Sequence, residues 1–232
     1  FKTYWYSGVF WREVTYRSGR LVDPVASGCK ARGGHLVEDF KERFLGCNVC
    51  QPSHTGETKI LKVGLWTWWH ATGNRERSGE YRAGKRDGVW NTWYDDGSPM
   101  LRGRLAQDKE QGTWRAWYRA GELKFTGSYR EGKQEGAWTT HHADGTAASS
   151  GLYRDGERQD AWTYRYQGGA LKDRGAFEGG LHTGPWTGWH PGGKKRYVGA
   201  FTEGKRQGDW VYFKADGKEW MRVKYDKGRE VN

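Results

Sequence analysis

Aromatic residues recur along this chain in short runs that polar, turn-forming residues separate. Two such runs form a unit of 24 residues, and over 64–231 seven units follow one another without insertion or deletion. A fixed period of this length is the sequence signature of a repeat protein. Tryptophan occupies the third position of every unit, and we expect these rings to form the core of the repeat. They are Trp66, Trp90, Trp114, Trp138, Trp162, Trp186 and Trp210.

Each unit also carries two turn signals. The first places aspartate before glycine, as at Asp96 and Gly97, and the second reads like Glu131, Gly132 and Lys133. Glycine supplies the positive φ that tight hairpin turns need. The runs between the turns are rich in tryptophan and tyrosine and show no helical apolar stripe, which is typical of strands. The pattern therefore predicts an all-β fold, an elongated single-layer antiparallel meander of 24-residue hairpins.

A second glycine recurs at the sixteenth position of the unit, inside the second strand rather than in a turn. Glycine within a strand usually marks the close approach of another group. We expect each of these glycines to make room for a neighbouring tryptophan ring. They are Gly79, Gly103, Gly127, Gly151, Gly175 and Gly199.

The first 63 residues depart from the strict period. Residues 1–23 match the repeat frame with its front missing, and they are interpreted as a degenerate hairpin. Residues 24–63 form an insert, and 64–232 hold the seven repeats. Within the insert, 35–45 predicts a short amphipathic helix that ends at Gly46. Its apolar side consists of Leu36, Val37, Phe40, Phe44 and Leu45.

All three cysteines lie in that insert. Cys29, Cys47, Cys50 and His54 have residue types that suit tetrahedral Zn²⁺, with His35 as a spare ligand. A disulfide from Cys29 to Cys47 or Cys50 would instead fasten a segment too small for its own core. Reduced, inert thiols are the third alternative. Zinc is the only cofactor that the sequence suggests.

The unit has a family resemblance. The glycine-x-tryptophan start, the Trp-Tyr-x-x-Gly turn and the Tyr-x-x-Gly-Lys end resemble MORN-type repeats, and within them the bacterial YwqK-like variant that is often labelled antitoxin. The resemblance covers 64–231. It implies an elongated β-sheet that serves as a scaffold or binding surface for proteins or membrane lipid, and it implies no catalytic residue.

Composition limits the partners. The net charge is +11, with ten basic and six acidic residues in the first 63, so the excess is spread along the repeats. Charges of both signs alternate, as in 82–87, which is typical of a solvated surface. A basic surface attracts anionic lipid, acidic protein or nucleic acid, and among these nucleic acid is the least favoured. The chain begins with Phe1, which suggests a processed protein or a fragment.

The histidines and carboxylates do not form a catalytic pattern. His70, His142 and His190 occupy the seventh position of the unit, where tyrosine stands in other copies, and are therefore interpreted as packing residues. Aspartate and glutamate recur at turns, where they shape the backbone. The sequence lacks a phosphate-binding loop, a nucleophile elbow and a zinc-protease motif. We therefore expect a protein that is not an enzyme.

A ladder of rings is the remaining candidate for binding. The third and sixth positions point to opposite sides of an ideal strand, so rings would appear on both faces. With the third position buried, the other face would grip an extended partner strand, a sugar chain or single-stranded nucleic acid by stacking. The candidate binding residues are Trp69, Trp93, Trp117, Trp189, Tyr94 and Tyr118.

The sequence as a whole predicts a scaffold that binds a protein partner, in a bacterial cell envelope or outside the cell, with the cytoplasm as the alternative. The cysteine-containing insert and the apparently processed start suggest that location. Neutralisation of a toxin and binding of anionic membrane lipid are the alternative functions. An unpaired edge strand at 222–225 is a candidate site of self-association.

Overall fold

The structure is a computed structural model that describes residues 61–231 in full and, of residues 1–60, only the backbone of the strands named below. The described chain is all-β, with antiparallel strands and no helix. It divides into two compact units, one of Phe1–Gly112 with Arg119–Gly121 and one of Thr113–Tyr118 with Glu122–Asn232.

The first unit contains two isolated strand pairs and one longer series of strands. β1 pairs with β2 and β3 with β4, while β5 to β10 pair each with the next. The strands are β1 (Lys2–Tyr4), β2 (Phe10–Glu13), β3 (Tyr16–Arg17), β4 (Arg20–Leu21), β5 (His35–Asp39), β6 (Phe44–Pro52), β7 (Thr58–Trp69), β8 (Arg75–Arg82), β9 (Lys85–Trp93) and β10 (Pro99–Ala106).

The prediction of a helix over 35–45 is wrong. The backbone there forms β5 and β6, which pair antiparallel with Leu36 opposite Cys47, and β6 pairs in turn with β7. Periodicity alone does not separate a helix from a strand in so short an apolar run. Pairing with β7 engages eight of the nine residues of β6, which an isolated short helix cannot match. Gly46, the expected helix cap, lies inside β6.

The second unit is a meander in which each strand from β12 to β21 pairs antiparallel with the next. β11 (Lys109–Trp117) contains the boundary between the units. The strands are β12 (Leu123–Arg130), β13 (Lys133–His141), β14 (Ala147–Arg154), β15 (Glu157–Arg165), β16 (Leu171–Glu178), β17 (Leu181–Trp189), β18 (Lys195–Thr202), β19 (Lys205–Phe213), β20 (Glu219–Asp226) and β21 (Arg229–Val231).

Two-residue turns join β12 to β13 and the corresponding later pairs. At Glu131 and Gly132 φ is 51° and 83°, so both central residues are left-handed. This is the turn whose twist matches paired strands, and it explains the glycine at the twenty-first position of six of the seven units. The turn between β16 and β17 is also tied to the preceding hairpin, since the amide of Gly180 donates to the Arg158 carbonyl at 3.0 Å.

A bulge recurs where the strand glycine faces the tryptophan. Ser150 pairs with Thr163 and Leu152 with Gln159, so one residue, Gly151, lies opposite three residues of β15. The first of these three has a positive φ, 56° at Asp160, and glycine holds this position in the other six copies. The bulge arches the strand over the glycine. The tryptophan ring thereby comes to lie on the glycine.

The predicted edge at 222–225 is partly covered. β21 pairs with the end of β20, with Lys224 opposite Val231 and Tyr225 opposite Glu230. The interpretation of this stretch as a free edge is therefore wrong for its last two residues, because the chain continues for one more short strand after the last full hairpin. Self-association through the remainder of β20 stays a prediction.

Candidate binding surface

The tryptophans at the third position of the repeat form a buried layer in each of the two compact units, here called the tryptophan layer. None is more than 8% exposed. In the second unit they alternate edge-to-face with the ring at the eighteenth position. Trp162, for example, lies 5.1 Å from Tyr153 at 88° and 6.0 Å from Phe177 at 78°. Edge-to-face contact is the arrangement that aromatic quadrupoles favour, so rings stabilise a sheet that has few aliphatic side chains.

The tryptophan layer is also hydrogen-bonded. The indole Nε1 of Trp138 donates to the Ser128 carbonyl at 3.0 Å, and that of Trp162 donates to the Leu152 carbonyl at 3.1 Å. Trp90, Trp186 and Trp210 make the same bond to the residue ten positions earlier. The bulge interrupts the strand ladder at this carbonyl, and the indole N–H takes the place of the missing backbone donor.

One row of directly paired residues crosses nine strands of the second unit, from β12 to β20. On the odd-numbered strands its members follow the tryptophan by two residues, so the row shares the face of the tryptophan layer. Unlike the tryptophans, its members differ in size, charge and polarity. We call it the cross-strand row, and its members are Phe125, Thr140, Ser149, Tyr164, Asp173, Gly188, Tyr197, Tyr212 and Met221.

Aromatic rings stand on β12, β15, β18 and β19 of this row, as Phe125, Tyr164, Tyr197 and Tyr212. Phe125 stacks on Trp138 at 5.5 Å and 24°, and Tyr164 stacks on Trp162 at 6.0 Å and 27°. Tyr197, the third of these rings, stacks on the next tryptophan of the layer in the same way. Two smaller or polar residues separate Phe125 from Tyr164 and Tyr164 from Tyr197, whereas Tyr212 pairs directly with Tyr197. The surface therefore has one depression between the first and second rings and another between the second and third.

The first depression, the Thr140 groove, has a volume of about 290 Å³. The hydroxyls of Thr140 and Ser149 lie within it, 2.7 Å apart and hydrogen-bonded to each other. Its aromatic sides include Phe125 and Trp162, and Arg158 closes it towards the next depression. The groove thus combines an apolar wall, a polar floor and one cation.

The second depression, the Asp173 groove, has a volume of about 340 Å³ and also contains Arg158. Asp173 accepts hydrogen bonds from Arg196 at 3.0 Å and from the Tyr197 hydroxyl at 2.8 Å. Burial, together with this carboxylate, raises the pKa of Tyr197, so the phenol keeps its proton. The Tyr197 ring occupies the space above Gly188, where a Cβ would come within 2.2 Å of it.

His182 lies at the rim of the Asp173 groove among aromatic rings. Its ring centroid is 4.6 Å from both Phe177 and Trp186 and 4.9 Å from Phe201. Burial lowers the pKa of His182, and the nearby Arg158 guanidinium lowers it further. The imidazole is therefore neutral at neutral pH and acts as another flat ring.

Arg158 is the residue that the two grooves share. Its guanidinium carbon lies 5.0 Å from the Trp162 ring and 5.3 Å from that of Phe177, which is cation–π distance. Its Nε donates to the Tyr153 hydroxyl over a long 3.4 Å. Among residues 61–231, no carboxylate forms an ion pair with Arg158.

The binding residues expected from the sequence lie elsewhere. None of Trp69, Trp93, Trp117, Trp189, Tyr94 and Tyr118 lines either groove. Each is half-buried near the first turn of its hairpin. The hydroxyl of Tyr118 donates to the His141 carbonyl at 2.9 Å, and Tyr166 makes the equivalent bond to Trp189.

That bond also explains why histidine and tyrosine exchange at the seventh position. The Nε2 atoms of His70, His142 and His190 lie 2.9–3.0 Å from the equivalent carbonyl of the following copy. A carbonyl only accepts, so Nε2 carries the proton there. These histidines therefore connect neighbouring hairpins.

The zinc and disulfide predictions fall on side chains that the structure does not describe. Cys29 and His54 lie outside the described residues, and Cys47 and Cys50 are described only as backbone of β6. Within 61–231, no three histidine, cysteine, aspartate or glutamate residues cluster to hold a metal ion. The same part of the chain has no helix of the length and apolarity that crossing a membrane requires.

Sequence reasoning missed the cross-strand row and Arg158. The signal was available, since the fifth and fourteenth positions vary among the copies while the third and tenth do not. Aligning the seven 24-residue copies shows these variable positions, but only the pairing register of the strands shows that they form one row. Arg158 stands at the twenty-third position, where other copies carry arginine, histidine, glutamine or glutamate.

No protein-family model matches the sequence, and no curated protein matches it.

Proposed function

We propose that this protein is a non-enzymatic repeat scaffold that binds a protein partner through the face carrying the cross-strand row. The observation that supports this most is the contrast between two sets of residues on one face. The buried tryptophans are constant, while the nine paired residues beside them include seven different residue types. Repeat proteins bind through such variable positions on a constant framework.

The form of the grooves favours a chain-like partner over a small substrate. They follow one another along the row, and they share Arg158. An enzyme would need several unpaired titratable groups around one enclosed space. The single carboxylate of the row, Asp173, is already held by Arg196 and Tyr197.

The resemblance to MORN-type repeats of the YwqK-like variant agrees with this function, and it adds the elongated 24-residue hairpin array as the proposed architecture. Under the same proposal a toxin is one class of partner, in which case the scaffold is an antitoxin. The bacterial cell envelope or the cell exterior is the proposed location, and it rests on the sequence alone.

Affinity capture tests this proposal. The intact protein is used to capture partners from its native cells after nuclease treatment, and the complex is washed at low and then high salt. We expect a stoichiometric protein that survives high salt, whose identity separates a toxin from other partners. Recovery of only lipid or nucleic acid, lost at high salt, would contradict the proposal. Such binding rests on attraction between charges, which salt screens.

A further inference from the structure

We propose that the Thr140 groove and Arg158 together recognise an acidic, aromatic segment of the partner. In this arrangement a tyrosine or tryptophan side chain enters the groove, and a neighbouring carboxylate pairs with the Arg158 guanidinium. This inference rests on the proposed function, and it names the chemistry of the partner at one place on the face.

The state of Arg158 is the first reason. The guanidinium is half-buried against Trp162 and Phe177, yet no described carboxylate pairs with it. Its backbone is fixed, because the Arg158 carbonyl accepts from the Gly180 amide. Arginine binds carboxylates through two parallel N–H donors, and a guanidinium stacked on a ring is already oriented for this. Arg158 therefore presents a fixed cation between two grooves.

The composition of the groove is the second reason. Its sides are the rings of Phe125 and Trp162, and its floor is the hydroxyl pair of Thr140 and Ser149. Two hydroxyls that share one hydrogen bond still offer one donor and further lone pairs. A flat side chain with a polar edge fits this combination, and tyrosine and tryptophan are such side chains.

Charge along the face is the third reason. The only carboxylate of the cross-strand row, Asp173, is paired with Arg196. A second cation, Arg206, lies over Trp210 at 4.8 Å and donates to the Tyr225 hydroxyl rather than to a carboxylate. Arg158 and Arg206 stand four strands apart, on the order of 19 Å. An extended acidic segment covers that distance in roughly six residues.

A sugar chain or nucleic acid fits this face less well. Such ligands stack on open ring faces, whereas Trp162 is 3% exposed and its ring is covered by Tyr164 and Arg158. The rings that border the groove expose their edges to a ligand instead of an open face. A protein side chain inserted between them uses those surfaces.

The test uses blocked peptides and the full chain labelled with ¹⁵N. The probe is acetyl-Gly-Glu-Tyr-Gly-amide, compared with versions in which glutamine replaces the glutamate or alanine replaces the tyrosine. Binding is followed by NMR at the Arg158 Nε–H and the Trp162 indole N–H. We expect the glutamate peptide to shift both signals, and each replacement to weaken binding about tenfold or more, as for the loss of a charge-assisted hydrogen bond.

Matched variants locate the effect. Arg158→Gln is expected to reduce affinity for the glutamate peptide to that of the glutamine peptide, while Arg158→Lys retains part of the difference. Arg174→Gln is the control, because it removes the same charge from an exposed residue next to Asp173 on the opposite side of β16. Thermal melting of each variant checks that the fold is intact.

The outcomes separate this inference from the proposed function. Equal affinity for the glutamate and glutamine peptides overturns the carboxylate site. Absence of peptide binding, while a captured partner still depends on Thr140, overturns this inference and leaves the scaffold function standing. Tighter binding of an oligogalacturonate probe, with no protein captured from cells, overturns both.

Discussion

The ring of Trp162 lies directly on the backbone of Gly151. A Cβ built at Gly151 would stand 2.2 Å from both Cδ2 and Cε2 of that ring, closer than any side chain tolerates. The same relationship joins Gly79 to Trp90 and Gly127 to Trp138. The strand glycine and the tryptophan eleven residues later therefore act as one packing element, which the bulge between them creates.

Replacing the strand glycine should damage this packing. We expect Gly151→Ala to lower the free energy of unfolding by about 1–3 kcal/mol, because the added methyl group overpacks a buried ring. Gly192→Ala is the control, since its φ is not left-handed and a Cβ there meets nothing within 4 Å. Urea unfolding followed by tryptophan fluorescence measures both variants. Equal stability of the two would contradict the contact.

The seventh-position hydrogen bond makes a second prediction. Tyr166→Phe should destabilise the protein by about 1 kcal/mol, because it removes the donor to the Trp189 carbonyl. Tyr166→His should lose less, since histidine makes the same bond at His142 and His190. Urea unfolding compares the three proteins. A histidine variant less stable than the phenylalanine variant would show that the two residues are not interchangeable there.

His182 should make stability depend on pH. Its pKa is lowered by burial and by Arg158, so the unfolded chain binds this proton more readily than the folded one. Stability should therefore decrease as the pH falls through the ordinary histidine pKa of about 6.5. His182→Phe keeps a ring between Phe177 and Phe201 and should flatten the dependence between about pH 8 and pH 5.5. Thermal melts at several pH values measure this. The same slope of melting temperature against pH in both proteins would contradict the assignment.

Much of this fold is predictable from the sequence because its repeat is regular. The turns, the antiparallel strands and the glycine that accommodates a ring all follow from residues such as Gly132 and Gly151, whose backbone needs are local. The strand pairing of β5 and β6 was not predictable in this way. The apolar pattern over 35–45 is typical of a short helix. The strand conformation of β6 is favoured because β6 can pair with the neighbouring β7.

The candidate site was less predictable than the fold. Sequence reasoning selected the conspicuous rings at Trp69 and Trp93, which lie outside the grooves. The residues that line the Thr140 groove are ordinary ones, a threonine, a serine and an arginine, and only the register across several strands brings them together. Arg158 stands out because no carboxylate within 61–231 pairs with it, and no sequence pattern reveals that.

A pair of neighbouring substitutions tests the binding face most directly. Thr140→Trp fills the groove beside Phe125, whereas Thr139→Trp adds the same ring on the other face of the same strand. Affinity of the captured partner for both variants is measured by calorimetry. The proposed function predicts that Thr140→Trp weakens binding at least about tenfold, as the loss of a central contact does, and that Thr139→Trp leaves binding unchanged. Equal affinities, or loss only with Thr139→Trp, would contradict the assignment of this face.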